Sequence, residues 1–410
     1  MVVAEGLNPS DPAFRELVDV HGHPLSSGPT GVGGLTSAVA GGTARRPAGP
    51  DGLGLAAGLG AGGGSVAGPL RAPGAALGDP ARGYTADPQR FRRDYEAVKG
   101  KPLPYRTGNA TGGLGARGTG RSFGVELEFD FPIGLSTAKR QRAIQEIGLE
   151  LHRLGLTADN RRHAPSEARS YTGSHQSGWR FMSDNTVPDG GEIVSPIMWD
   201  EPEAWDNLAR VVAVIERNGG IASEKTGFHV HVGVGDLGGR LEPAERVLEL
   251  AETFEDQLFR AATDPTRVYH RGMTHCERVC RARGGFRTLD DLRDMNGKDR
   301  LVDFTDVRGE TSDHLQWRLW DGSLDLGVMQ AQINLSLGLT QAAMDPVRAA
   351  AGLPQRSRVG DGDRAEIREG GRRWLDQMRP TMHLLDLLFD DEAQKTQVLT
   401  LFASNLWQLP

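Results

Sequence analysis

The sequence predicts an α+β protein, a sheet with helices packed on one face, preceded by a long low-complexity region. Three observations carry this reading. Segments in which apolar residues alternate with polar ones are interleaved with segments whose apolar residues recur every three to four positions. Hairpin-like links are mixed with helix-separated ones, which suits α+β better than a doubly wound parallel sheet. Finally, 27 of the 55 glycines fall in residues 1–120, whereas all seven tryptophans lie beyond them.

The N-terminal region comes first. Residues 26–83 are Gly/Ala/Pro-rich without a sustained period, the composition of a linker or disordered segment. A short helix is expected over Asp11–Val20 and a polar one over Asp87–Val98, followed by a second Gly-rich run, Thr107–Gly120. A segment with half the glycine and no tryptophan is poor core material. Residues 1–118 are therefore read as a largely disordered extension, and 119–410 as the folded domain.

From Arg121 the pattern sharpens. Phe123, Val125, Leu127 and Phe129 alternate with Glu126, Glu128 and Asp130, as in a half-buried strand. A helix over Thr137–Leu154 places Ile144, Ile147, Leu151 and Leu154 on one stripe. Two short strands follow, in WRFMSDNTV and GGEIVSP, then a helix with Trp205, Leu208, Val212 and Ile215 on one face. FHVHVGV (228–234) is a strand, 243–262 a helix, 263–309 an Arg-rich loop region and HLQWRLWD (314–321) another strand. Helices are expected over about 327–344, over 363–388 interrupted by Pro380, and over 393–407.

Composition narrows the function. A net charge of −7 with 25% charged residues gives no basic field for a nucleic-acid backbone. No run approaches ~18 apolar residues, the length of a membrane span, and the N-terminus lacks the form of a secretory signal. Two cysteines make no disulfide framework. A cytoplasmic protein without membrane or nucleic-acid partners is expected.

The polar faces of the strands carry the chemistry. One strand presents Glu126 and Glu128, a second His229 and His231, a third Gln316 and Arg318, and a short strand adds Glu192. A solvated face is the usual fate of such positions, yet such faces mix in Lys, Ser and Thr, and none of these positions is Lys. Carboxylates gathered on one face repel and raise each other's pKa values unless a cation intervenes. Oxygen donors suit Mg²⁺, and added imidazoles admit Mn²⁺. Paired metals could clamp a transferring phosphoryl group. Trp320, two residues after Arg318, could stack on an adenine ring.

GVELEF, Trp179-x-Phe181-x-x-Asp184, GGEIVSP, TGFHVHVG and WRLWDGSLD follow one another in this order. Together they resemble the amidoligase family, grouped with glutamine synthetase and glutamate–cysteine ligase as carboxylate–amine ligases. The resemblance covers about residues 120–345. It implies a curved, mainly antiparallel, glutamine synthetase-like sheet whose concave face holds ATP and Mg²⁺ or Mn²⁺. In such ligases ATP phosphorylates a carboxylate, and an amine attacks the acyl phosphate to give an amide. Matched residue by residue, Glu126, Glu128, Glu192 and His229 look like metal ligands and His231 is similar to a position near the nucleotide phosphates. Arg318 resembles the arginine that neutralises the transferring phosphoryl group, so Arg318 and Glu192 are the expected catalytic residues. The family pattern Glu-aromatic-Arg reads Gln316-Trp317-Arg318 here, which offers one metal site only a neutral oxygen. Asp321, Asp313 or substrate could compensate.

Small-molecule or peptide carboxylates and amines are the expected partners, and the N-terminal extension could tether the chain to a larger assembly. Two rival readings remain open: a degenerate nucleotide-binding member of the same fold without turnover, and a metal-dependent hydrolase using the His229/His231 pair. No GxxxxGK[ST] loop is present, and Ser195 lacks a nucleophile elbow. His270, His275, Cys276 and Cys280 could hold zinc but are more often unligated in such a loop.

Overall fold

The computed structural model describes residues 83–164, 178–265, 276–279, 285–311, 313–352 and 374–405. The helix expected over 11–20 and the low-complexity run to residue 82 lie outside the described residues. What is described is a mixture of helices with one open, six-stranded sheet.

The strands are β1 (Phe123–Phe129), β2 (Arg180–Met182), β3 (Gly191–Val194), β4 (Gly227–Gly233), β5 (Val302–Asp303) and β6 (His314–Asp321). They pair antiparallel throughout, in the order β2-β3-β1-β4-β6-β5. Alternation fixes the faces: Phe123, Val125, Leu127 and Phe129 of β1 are buried together with Phe228, Val230 and Val232 of β4. A slip of one residue in β1 would turn its acids toward the core in their place.

Helices cover the apolar face. In α1 (Pro88–Val98), the Asp87 carboxylate accepts from the N–H of Arg90 and caps the first turn. α2 (Thr137–Arg153) buries Ile147 and Leu151, and α3 (Pro202–Arg217) buries Trp205, whose ring stacks on Phe123 at 5.4 Å. The helix expected over 243–262 breaks at buried Phe254, where φ −106° and ψ 16° leave the helical range. It becomes α4 (Leu241–Thr253) and α5 (Glu255–Ala262). Short α6 (Leu289–Met295) and β5 fall within the segment expected to be loop.

α7 (Leu326–Met344) is buried on nearly every side. It is packed among β4, α4, α8 (Pro346–Gly352), α9 (Trp374–Leu388) and α10 (Glu392–Ser404). Such a helix should be apolar all round, yet it buries Gln330, Gln332, Asn334, Ser336 and Thr340. The N-terminal segment supplies part of the reason. Gln330 donates to the carbonyl of Arg106 and accepts from its N–H, Asn334 donates to Ala110 O, and Gln397 of α10 donates to Pro104 O. A chain without regular structure crosses the core here, and side-chain amides satisfy its peptide groups.

This corrects the extent of the expected extension. Residues 83–118 are packed, with Tyr84, Phe91, Tyr95 and Ala110 in the hydrophobic core. High Gly content hid a segment held by hydrogen bonds rather than by periodicity. Its first anchor is Asp386 of α9, which accepts from Tyr84 N at 3.0 Å, Thr85 N at 2.8 Å and Lys395 Nζ at 2.9 Å.

Burial pushes the Asp386 carboxyl up, but the Thr85 amide and the Lys395 ammonium outweigh it and hold the pKa below the ordinary Asp value. A depressed folded value means that the stabilisation is complete above the unfolded pKa of about 4 and is lost as pH falls through the folded value. Asp386→Ala should cost about 3 kcal/mol at neutral pH, since it leaves Lys395 buried without this partner. Urea unfolding between neutral and acid pH checks this, and the variant should show a flatter acid limb.

Candidate active site

The register of the sheet assembles the polar side chains. Glu126 stands opposite His229, Glu128 opposite Glu192, Gly124 opposite His231, and His231 opposite Gln316. These residues line one large cleft of about 1980 Å³ together with Arg318, His314 and Asp303. Sequence alternation placed the three main strands correctly, and antiparallel pairing brings their polar rows side by side.

Glu126 is the hub. One carboxylate oxygen lies 2.9 Å from His229 Nδ1 and accepts from Gln316 Nε2 at 2.8 Å, while the other lies 3.0 Å from His231 Nε2. Gln316 Oε1 in turn accepts from Arg318 at 2.8 Å. Donor atoms of Glu126, Glu192 and His229 lie within 4.8 Å of one another, the group among the described residues that could hold a metal ion. Glu128 stands beside them, 2% exposed, accepting from Gly227 N at 2.8 Å. His229 Nε2 is 3.9 Å from Glu128 Oε1.

The electrostatics are those of crowded acids. Burial, then the charges of Glu126, Glu128 and Asp184, push the Glu192 carboxyl well above its ordinary value. Burial pushes Glu126 up as well, but the imidazoles of His231 and His229 outweigh it and hold it well below. His229 is lowered by burial and by the nearby Arg318 guanidinium. Two carboxylates and an imidazole converging in a buried site fit a divalent cation such as Mg²⁺ or Mn²⁺.

β6 departs from simple alternation. Val230 pairs with Trp317, but Phe228 pairs with Trp320, so Arg318 and Leu319 both stand opposite His229. The extra residue turns Trp320 to the helical side. There its ring is 1% exposed and its Nε1 donates to Ser336 Oγ, just as Trp317 Nε1 donates to Thr340 Oγ1. Trp320 thus lies in the core, away from the cleft, and the expectation that it stacks on adenine is corrected.

Other residues find structural roles. Ser195 Oγ accepts from Val125 N and donates to Pro196 O. Asp321 is fully buried, accepting from Asp264 N. Asp313 accepts from Arg308 N and Gly309 N. Asp313 also lines the cleft, whereas Asp321 is not among its lining residues. Arg278 pairs with Glu255 and Asp256. Cys276 is buried, while His270, His275 and Cys280, with residues 266–275 and 280–284 of the Arg-rich region, lie outside the described residues.

Sequence reasoning missed the far walls of the cleft. These are the Gly112–Gly113 turn with Arg121, the Thr305–Arg308 loop, and Gln341, Met344, Arg348 and Phe389 from the C-terminal helices. The turn is fixed by Asp200, which accepts from Ala110 N, Thr111 N, Thr111 Oγ1 and Trp205 Nε1. No local pattern signals such contacts between distant segments.

Residues 119–284 match the amidoligase family. The family's description is "Putative amidoligase enzyme", and the match bears out the resemblance over β1 to β4, the segment that contains Glu126, Glu128, Glu192, His229 and His231. The amidoligase match stops short of β6, so Gln316 and Arg318 enter the site on geometry. No curated protein matches the chain. Among the described residues, no helix is long and apolar enough to cross a membrane.

A cation bound here would compete with the proton for Glu192, whose carboxyl is raised well above its ordinary value. Mn²⁺ affinity should therefore rise with pH as Glu192 ionises, with release of a proton. Calorimetry at about pH 6 and pH 8 in buffers of different ionisation enthalpy measures both effects. Glu192→Gln should weaken binding at least tenfold, about 1.4 kcal/mol, and flatten the pH dependence.

Proposed function

We propose that the chain is an ATP-dependent carboxylate–amine ligase that forms an amide through an acyl phosphate, on a sheet of the glutamine synthetase type. The observation that supports this most is the convergence of Glu126, Glu192 and His229 within 4.8 Å beside Arg318, in a cleft of about 1980 Å³. The amidoligase match over residues 119–284 supports a ligase reaction.

Glu126, Glu192 and His229 would hold Mg²⁺ or Mn²⁺, with Glu128 beside them. A bound cation would neutralise phosphate charge and orient the phosphates for in-line transfer. His231, half-buried with its ring 4.9 Å from that of His314, faces the same space and suits the phosphate chain. Arg318 stabilises charge on the γ-phosphoryl group as a carboxylate oxygen attacks phosphorus and the bond to ADP breaks. The amine then attacks the acyl carbon, phosphate leaves, and the amine gives up a proton. Gln316 holds Arg318 and Glu126 in register by donating to one and accepting from the other.

A second reading has its own observation. Gln316 Nε2 donates to Glu126 Oε2, taking up part of the oxygen's capacity for a cation where the family carries a Glu. A member that binds nucleotide without turnover would be built this way.

ADP release from Mg²⁺-ATP, dependent on both an amine and a carboxylate, tests the ligase. Arg318→Ala should lower turnover about 10²–10³-fold, roughly 3–4 kcal/mol, with less effect on ATP affinity. Arg318→Lys should rescue poorly, having lost the planar fork. Nucleotide binding without ADP release in any combination, joined by turnover in Gln316→Glu, would favour the second reading.

A further inference from the structure

The cleft is larger than its cations and a nucleotide require. Small-ligand pockets span about 300–1,000 Å³, and this one is about 1980 Å³. It runs along the β1 row from Glu128 past Gly124 to Ser122, just before the strand, six residue steps or roughly 20 Å. It then continues as an arm walled by Arg121, Gln341, Met344, Arg348 and Phe389. Apart from Arg121, these arm residues lie outside the matched segment 119–284.

Gly124 joins the two parts. It sits within a strand, where glycine weakens pairing and often marks the close approach of another chain or ligand. Its backbone does not require glycine: its φ is not among the positive values. Nor does its packing require it. A Cβ would meet Ser195 Oγ at 3.4 Å, Pro196 O at 3.7 Å and His231 Cβ at 3.9 Å, all ordinary contacts. The absent side chain leaves a bare floor between Glu126 and the arm.

The charge of the arm selects its occupant. Arg121 forms two hydrogen bonds to Asp236, at 2.7 and 2.8 Å, and Arg348 pairs with Asp390 at 2.9 Å. Both guanidinium groups are thus matched by acids, and Asp345 adds another acid to the wall. Met344 and Phe389 supply apolar surface between them. An excess of negative charge on a partly apolar wall disfavours a carboxylate and suits an extended chain bearing an amine.

Resting on the ligase reading, we propose that the arm binds the amine substrate as an extended chain, peptide or polyamine, whose reacting nitrogen reaches the sheet across Gly124. A peptide fits the mixed apolar and hydrogen-bonding wall better than a polyamine does.

Equilibrium dialysis of the full chain with Mg²⁺-ATP tests this. The probes are lysine amide, spermine, and a hexapeptide pool randomised around one fixed lysine, at equal amine concentration. The pool should bind at least tenfold more tightly than lysine amide. Gly124→Leu, which plugs the floor, and Met344→Trp, which fills the arm, should each abolish that gain, with near-ultraviolet circular dichroism confirming the fold. Spermine binding as tightly as the pool would support the arm and assign it to polyamines. A pool no tighter than lysine amide in the wild-type protein, or a gain retained in both variants, would overturn the proposal. Length-dependent binding in a chain that fails to bind Mg²⁺-ATP would instead overturn the ligase reading and leave the arm standing.

Discussion

Two carboxylates and an imidazole, brought within 4.8 Å of one another below the surface, set the terms for the rest of the molecule. Acids so placed cannot all be ionised without compensation. The chain compensates in part: His229, His231 and Gln316 crowd around Glu126, while Glu192 retains its proton more readily than an exposed acid would. The sheet must be rigid enough to hold this arrangement, and its apolar face is accordingly sealed by aromatic and aliphatic side chains against the helices. A cation held here would relieve the remaining repulsion.

The same logic explains the polar interior of α7. Its amides and hydroxyls look misplaced on a helix buried on nearly all sides, but each contact serves a nearby element. Gln330 and Asn334 tie down the N-terminal segment, while Ser336 and Thr340 receive the two indoles of β6. By holding Trp317 and Trp320 on one side, α7 helps fix the bulge that sets Arg318 and Leu319 opposite His229. Core and site are therefore linked through a few hydrogen bonds rather than through volume alone. The N-terminal segment shares in this, because its Gly-rich turn, fixed on Asp200, forms a wall of the cleft.

What could be read from the sequence was what depends on local period. Glu126, Glu128, His229 and His231 were placed on one face because strands alternate, and antiparallel pairing did the rest. Trp320 was misplaced because one extra residue in β6 breaks the alternation, and no residue type announces a bulge. Residues 83–118 read as extension because glycine content masks Tyr84, Phe91 and Tyr95, whose partners lie far along the chain, on Asp386, Arg260 and α10. The arm of the cleft was invisible for the same reason: it forms only when residues near 121, 344 and 389 meet.

The most direct measurement is a crystal structure of the full chain with Mn²⁺ and a non-hydrolysable ATP analogue, using anomalous scattering to locate the metal. A manganese peak bounded by Glu126, Glu192 and His229, with the γ-phosphate analogue facing Arg318, is the expected result. Manganese elsewhere, or a nucleotide bound away from the sheet with these side chains still engaged only with one another, would contradict it.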